Sequence, residues 1–232
     1  TPDRSSHGWW PYVLPYLGFL MAVEIGRRLP EAAQPWMLLA KPLLPLGLIL
    51  WFGWSGEYPE LRAIRLRWTE ALQDVAVGLA LAVLWAAPYL LIPSLRPDPA
   101  AAFDPQQLGT EWVPLALGLR LFGYALVTPL FEELFIRSFV MRYAEVYGRR
   151  GDFRDVPIAH FSARSFVVTI VVFTVGHVPW EWWVAVPWVA LTNLWFYRRR
   201  NLASLLSVHG VTNAALLGRA IWGGGLFPGG AG

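Results

Sequence analysis

Two adjacent carboxylates, Glu132 and Glu133, and a guanidinium, Arg137, lie inside the apolar run Phe131-Glu132-Glu133-Leu134-Phe135-Ile136-Arg137. Three ionisable groups in such a run are costly to keep and mark a functional site. On a helix, Glu133 and Arg137 stand at i and i+4 and can pair. Glu132 points about 100° away around the axis. The spacing therefore predicts that Arg137 holds Glu133 while Glu132 is left free to do chemistry. Further along, His177 follows Phe173 by four residues, and His209 precedes Asn213 by four. That second spacing turns both side chains to one helix face. A free carboxylate with imidazoles and a carboxamide suits hydrolysis, which needs a base for water and donors for the developing oxyanion.

The elements that must position these groups are membrane helices. The 232 residues are 56% hydrophobic and only 15% charged, with mean hydropathy +0.42. A soluble domain carries about a quarter charged residues. Many of the 14 tryptophans, among them Trp9, Trp36, Trp54, Trp68, Trp112 and Trp182, stand at the ends of apolar runs, as interfacial belts do. The net charge of +3 comes from loop arginines, which reads as topology rather than nucleic-acid binding. With no cysteine, disulfides, thiolate catalysis and cysteine-based metal sites are excluded. The expected class is an all-α polytopic transmembrane helix bundle of about seven to eight spans, a single integral-membrane domain over 1–232.

Apolar stretches predict spans near 9–26, 36–54, 71–92, 113–143, 165–177, 182–197 and 202–222, each near the length a bilayer requires. The opening run resembles a signal peptide, but it continues to Glu24 with no small-residue cleavage site and is read as a retained span. Ser55 to Trp68 is polar, Leu95 to Trp112 is a proline- and aspartate-rich loop, and Val178-Pro179-Trp180 breaks the helix after His177. The glycine-rich tail, 223–232, is expected to be flexible. Alternating spans give one side Arg4, Arg62, Arg65, Arg67, Arg142, Arg149, Arg150, Arg154, Arg164 and Arg198 to Arg200. The other side receives Arg27, Arg28, Arg96 and Arg219. That asymmetry predicts a cytoplasmic N-terminus in a bacterial inner (plasma) membrane. Counted from the arginine-rich ends of their helices, Glu132 lies about 15 Å in, His177 about 18 Å and His209 about 12 Å. One shared polar cavity is the economical expectation, since each group would otherwise sit unpaired in hydrocarbon.

Glu-Glu-x-x-x-Arg, Phe-x-x-x-His and His-x-x-x-Asn, in this order on successive apolar helices, resemble the CPBP family, which includes the type II CAAX prenyl endopeptidases. The resemblance covers about Val113 to Trp222. It implies an intramembrane endopeptidase cutting near the C-terminus of a hydrophobic or lipid-modified peptide or protein, with membrane lipids around it and no nucleic acid. Matched motif by motif, it implies Glu132 as the base that activates water, His177 assisting, and His209 with Asn213 stabilising the oxyanion. Glu133, Arg137 and Phe173 become structural support. A narrower similarity, to CAAX-protease-related proteins that accompany exosortase systems, is suggested by the tryptophan-rich spans and the Val178-Pro179-Trp180 break.

Other readings stand beside this one. Glu132, His177 and His209 are a two-histidine, one-carboxylate set that zinc accepts, but the His-x-x-x-His spacing of zincins is missing, so a metal-free glutamate mechanism is expected. A non-catalytic membrane scaffold or immunity factor would keep the same polar cavity for binding. A proton-coupled transporter fits the buried acids but not the lack of paired inverted repeats. Asn193 is left between lining the cavity and binding a neighbouring helix. His7 and His160 lie in loops and receive no role.

Overall fold

The computed structural model describes residues 7–30, 33–62, 67–95 and 109–222. The tail 223–232, expected to be flexible, lies outside them. The described chain is an all-α bundle. Helix α1 is Trp10–Arg28, α2 Gln34–Trp54, α3 Pro59–Arg62 and α4 Trp68–Leu91. Helix α5 runs Thr110–Val146, α6 Ala163–Val175, α7 Trp182–Arg199 and α8 Leu202–Trp222. Among the described residues α2, α4 and α5 are each long and apolar enough to cross a membrane, while the shorter α6 is an apolar helix of the same bundle. The polar stretch after α2 carries the one-turn helix α3.

Helix α4 shows why this is a bundle for a bilayer. Leu72, Val75, Leu79 and Val83 are exposed while Asp74, Gly78, Leu81 and Ala82 are buried. A wet environment would penalise that arrangement, but lipid accepts it, because hydrocarbon does not drive leucine inwards. Small residues then set the helix contacts. A Cβ on Gly78 would lie 2.7 Å from the Val208 carbonyl oxygen, and one on Gly210 would lie 2.6 Å from that of Ala125. Glycine at these two positions lets α8 pack backbone to backbone against α4 and α5. Thr212 completes the α4 contact by donating its hydroxyl to the Gly78 carbonyl at 3.0 Å.

Helix α5 is interrupted by two π-helical stretches, Gly123–Val127 and Leu134–Val140, which flank Glu132. The first has a cause in the sequence. Pro129 has no N–H to bond the carbonyls of Ala125 and Tyr124, and the ladder widens there. Nothing in the sequence marks the second. Such insertions are common at functional sites.

The end of the bundle where α1 and α8 begin and α5 ends carries most of the arginines, and it is closed by paired charges. Arg154 reaches Glu57 at 3.5 Å and donates to the Gly8 carbonyl, and His7 meets Glu57 at 2.8 Å. Arg142 pairs with Glu60 at 3.3 Å. Asp74, fully buried, accepts from Ser204 at 2.6 Å and from the Trp195 indole at 2.9 Å, with Arg199 at 3.4 Å. Tyr12, Tyr58 and Phe153 pack edge to face among these groups. Asn193 donates to Thr169 at 2.9 Å, so it ties α7 to α6.

Candidate active site

Glu132, His177, His209 and Asn213 line one cavity of about 490 Å³. They come from α5, the turn after α6, and α8. On α5, Glu133 and Arg137 are both fully buried and approach to 3.3 Å. This is a close ion pair without hydrogen-bond alignment. Arg137 also donates to the Thr192 hydroxyl at 2.7 Å, and that hydroxyl donates on to the α7 backbone carbonyls of Trp188 and Val189. An isolated buried charge would be strongly destabilising, and these partners fix the register of α5 against α7.

His209 bridges the two glutamates. Its Nδ1 is 2.8 Å from Glu133 Oε1, and its Nε2 is 3.7 Å from Glu132 Oε2. Trp188 packs edge to face on the ring at 4.7 Å. A carboxylate only accepts, so Nδ1 carries the hydrogen that goes to Glu133. A donor at Nε2 then requires the doubly protonated ring.

His177 is fixed the opposite way. Its Nδ1 lies 2.8 Å from the Phe173 carbonyl, which is an acceptor, so the neutral ring keeps its Nε2 lone pair for the cavity. The Phe173 ring sits 4.4 Å from the imidazole and stacks at 5.1 Å on Trp188. The four-residue Phe-to-His spacing thus sets the tautomer through the backbone and the ring position through the side chain. Asn213 donates to the Tyr124 carbonyl at 2.8 Å, a carbonyl in the π-helical stretch ahead of Pro129. The carboxamide has two N–H groups, and one remains for the cavity.

Glu181 also lines the cavity and was not singled out from the sequence. It lies in the short Pro179–Glu181 turn between α6 and α7. Burial, then the nearby Glu132 carboxylate, pushes its carboxyl up to about 7. Its signal was there to find, as an acid inside a Pro-Trp-Glu-Trp-Trp segment, but the tryptophans read as an interfacial belt. Among the described residues no group of three or more His, Asp or Glu side chains is placed to hold a metal ion.

Residues 114–215, somewhat under half of the chain, match the family model described as type II CAAX prenyl endopeptidase Rce1-like. The match spans every residue of the cavity motifs. With these motifs and this helical fold, the match supports the CAAX-protease (CPBP) family of integral membrane proteins, whose members are generally proteases, for the segment it covers. Comparison with curated proteins and with solved structures gives no match, and the narrower exosortase-associated similarity is not supported by these findings.

Proposed function

We propose that this protein is an intramembrane endopeptidase in which Glu132 activates water without a metal. The observation that carries the reading is that Glu132, His177, His209 and Asn213 share one cavity, although 81 positions separate the first from the last in the sequence (213 − 132). A water between the Glu132 carboxylate and the His177 Nε2 lone pair gives a proton to Glu132 and attacks the scissile carbonyl carbon. Negative charge then develops on the carbonyl oxygen. The free N–H of Asn213 and Nε2–H of the His209 imidazolium stabilise that charge, the effect of an oxyanion hole. The proton on Glu132 passes to the departing nitrogen as the C–N bond breaks, releasing a carboxylic acid and an amine. Glu133 and Arg137 keep His209 in place throughout. The substrate class is a membrane-associated or lipid-modified polypeptide cut near its C-terminus, in keeping with the apolar aromatic lining. The arginine-rich end of the bundle faces the cytoplasm of a bacterial inner membrane, by the excess of arginines in the loops there.

Glu132→Gln tests this, since it keeps the shape and removes the basicity. Cleavage of a membrane-anchored reporter peptide by the purified protein in detergent should fall by about 10²- to 10⁴-fold, the usual contribution of a positioned base. The thermal unfolding midpoint should stay in place. Normal turnover by the variant would end the proposal, and a preserved biological effect without turnover would favour the scaffold reading.

A further inference from the structure

The residues lining the cavity all lie on one side of the catalytic level. On α1 they are Tyr16, Phe19, Leu20, Val23, Glu24 and Arg27, a single helix stripe at i, i+3, i+4, i+7, i+8 and i+11. On α8 they are His209, Thr212, Asn213 and Leu216, and on α5 they are Glu132, Thr128 and Tyr124. Each series starts level with Glu132 and runs away from the arginine-rich end. One turn the other way, the same three helices present Tyr12, Leu205 and Ile136, each 1% exposed. Below those come the Glu57, Glu60 and Asp74 clusters already described. Among the described residues the cavity is therefore stoppered toward the arginine-rich end and open toward the end where α1 finishes.

From these two facts, and resting on the protease reading for what is bound, we infer that substrate reaches Glu132 from the non-cytoplasmic face of the membrane. It does so as an extended apolar stretch of a membrane-anchored polypeptide. The α1 stripe from Tyr16 to Arg27 is about 16 Å long, room for about five extended residues. Its walls are Phe19, Leu20, Val23, Trp85, Tyr124 and Pro179, so the residues between the mouth and the scissile bond are apolar or aromatic. At the mouth Glu24 is taken up by Arg27 at 3.8 Å and Arg28 at 2.6 Å. One carboxylate against two guanidiniums leaves the mouth net positive, and beyond it the apolar walls set the preference.

The chain has no cysteine, so single-cysteine variants report access directly. Leu20→Cys and Val23→Cys place a thiol in the cavity, and Arg150→Cys places one on the exposed loop between α5 and α6. A membrane-impermeant maleimide is applied to spheroplasts and, separately, to inverted membrane vesicles. The expected result is that the cavity thiols label in spheroplasts and lose labelling in inverted vesicles, with Arg150→Cys doing the reverse. Labelling of Leu20→Cys or Val23→Cys from the cytoplasmic face, from both faces, or from neither would overturn the inference. Labelling needs no turnover, so the same measurement in a Glu132→Gln background should be unchanged. An inactive protein with the expected labelling would sink the protease reading alone.

Discussion

The buried carboxylates at the arginine-rich end, Glu57, Glu60 and Asp74, each lie against an arginine within 3.5 Å. Around the cavity, half a bundle away, Glu132 has His209 Nε2 at 3.7 Å, and Glu181 lines open space. Residue types are much the same in the two regions. What differs is how completely each charge is paired, and pairing separates a seal from a site. A paired, hydrogen-bonded ion is inert and rigid, whereas an under-paired carboxylate beside water remains able to take a proton. Glu133 and Glu132 show both conditions at neighbouring positions of one helix.

Perturbing each region should therefore break a different property. Asp74→Ala removes the acceptor shared by Ser204, Trp195 and Arg199 and leaves Arg199 with only the more exposed Glu70, at 3.4 Å. Breaking a buried pair outright costs about 3–5 kcal/mol, and the remaining Glu70 contact keeps the loss below that range. A lower thermal midpoint in detergent is the expected outcome, with the rate per folded molecule unchanged. Asn213→Ala should do the converse. Loss of one oxyanion donor lowers kcat by about 10²- to 10³-fold, with a small change in KM and a modest stability loss from the orphaned Tyr124 carbonyl. If Asn213 were only a tie between α8 and α5, kcat of the folded protein would hold. A seal variant that lost turnover at full stability would also contradict the comparison.

An intermediate case is Gly210→Ala, at the joint between the two regions. The new methyl would press on the Ala125 carbonyl at 2.6 Å, and overpacking of this kind costs about 1–3 kcal/mol. Because Ala125 precedes Thr128 and Glu132 on α5, the strain should lower both stability and rate. The pair of measurements distinguishes it from the two variants above.

The helices and the four cavity residues were legible because polar groups in apolar runs have few explanations, and because i, i+4 spacing shows which of them share a face. Glu132, His177, His209 and Asn213 needed nothing more to be nominated. The direction in which the cavity opens was not legible. It depends on whether Tyr12 or Leu20 packs against a neighbour, and both belong to the same apolar stripe in the sequence. Asp74 was missed because an acid one turn into a span looks like an interfacial charge, and only the fold brings Ser204 and Arg199 to it. The contact of His209 with Glu133 was not legible either, since the spacing assigns Glu133 to Arg137 and only the fold brings the imidazole to it at 2.8 Å. Pro129 did announce the first π-helical stretch, while the second, around Arg137, has no mark in the sequence.

The smallest expected effect belongs to Glu181, and it tests whether the open end is as under-paired as the comparison holds. Its carboxyl stands at about 7 against an ordinary value of 4.5, so the folded chain keeps this proton over a range where the unfolded chain has lost it. Between those two values the folded state binds more protons, and stability falls as pH rises. Below about 4.5 and above about 7 this contribution is flat. Glu181→Gln cannot titrate, so the decline in thermal midpoint between pH 4.5 and 7 should become shallower in the variant, with the two proteins closest in acid. Titration of the midpoint difference across that window checks it. A difference independent of pH would mean that Glu181 finds a partner or water that holds its charge. The contrast between the two ends would then rest on Glu132 alone.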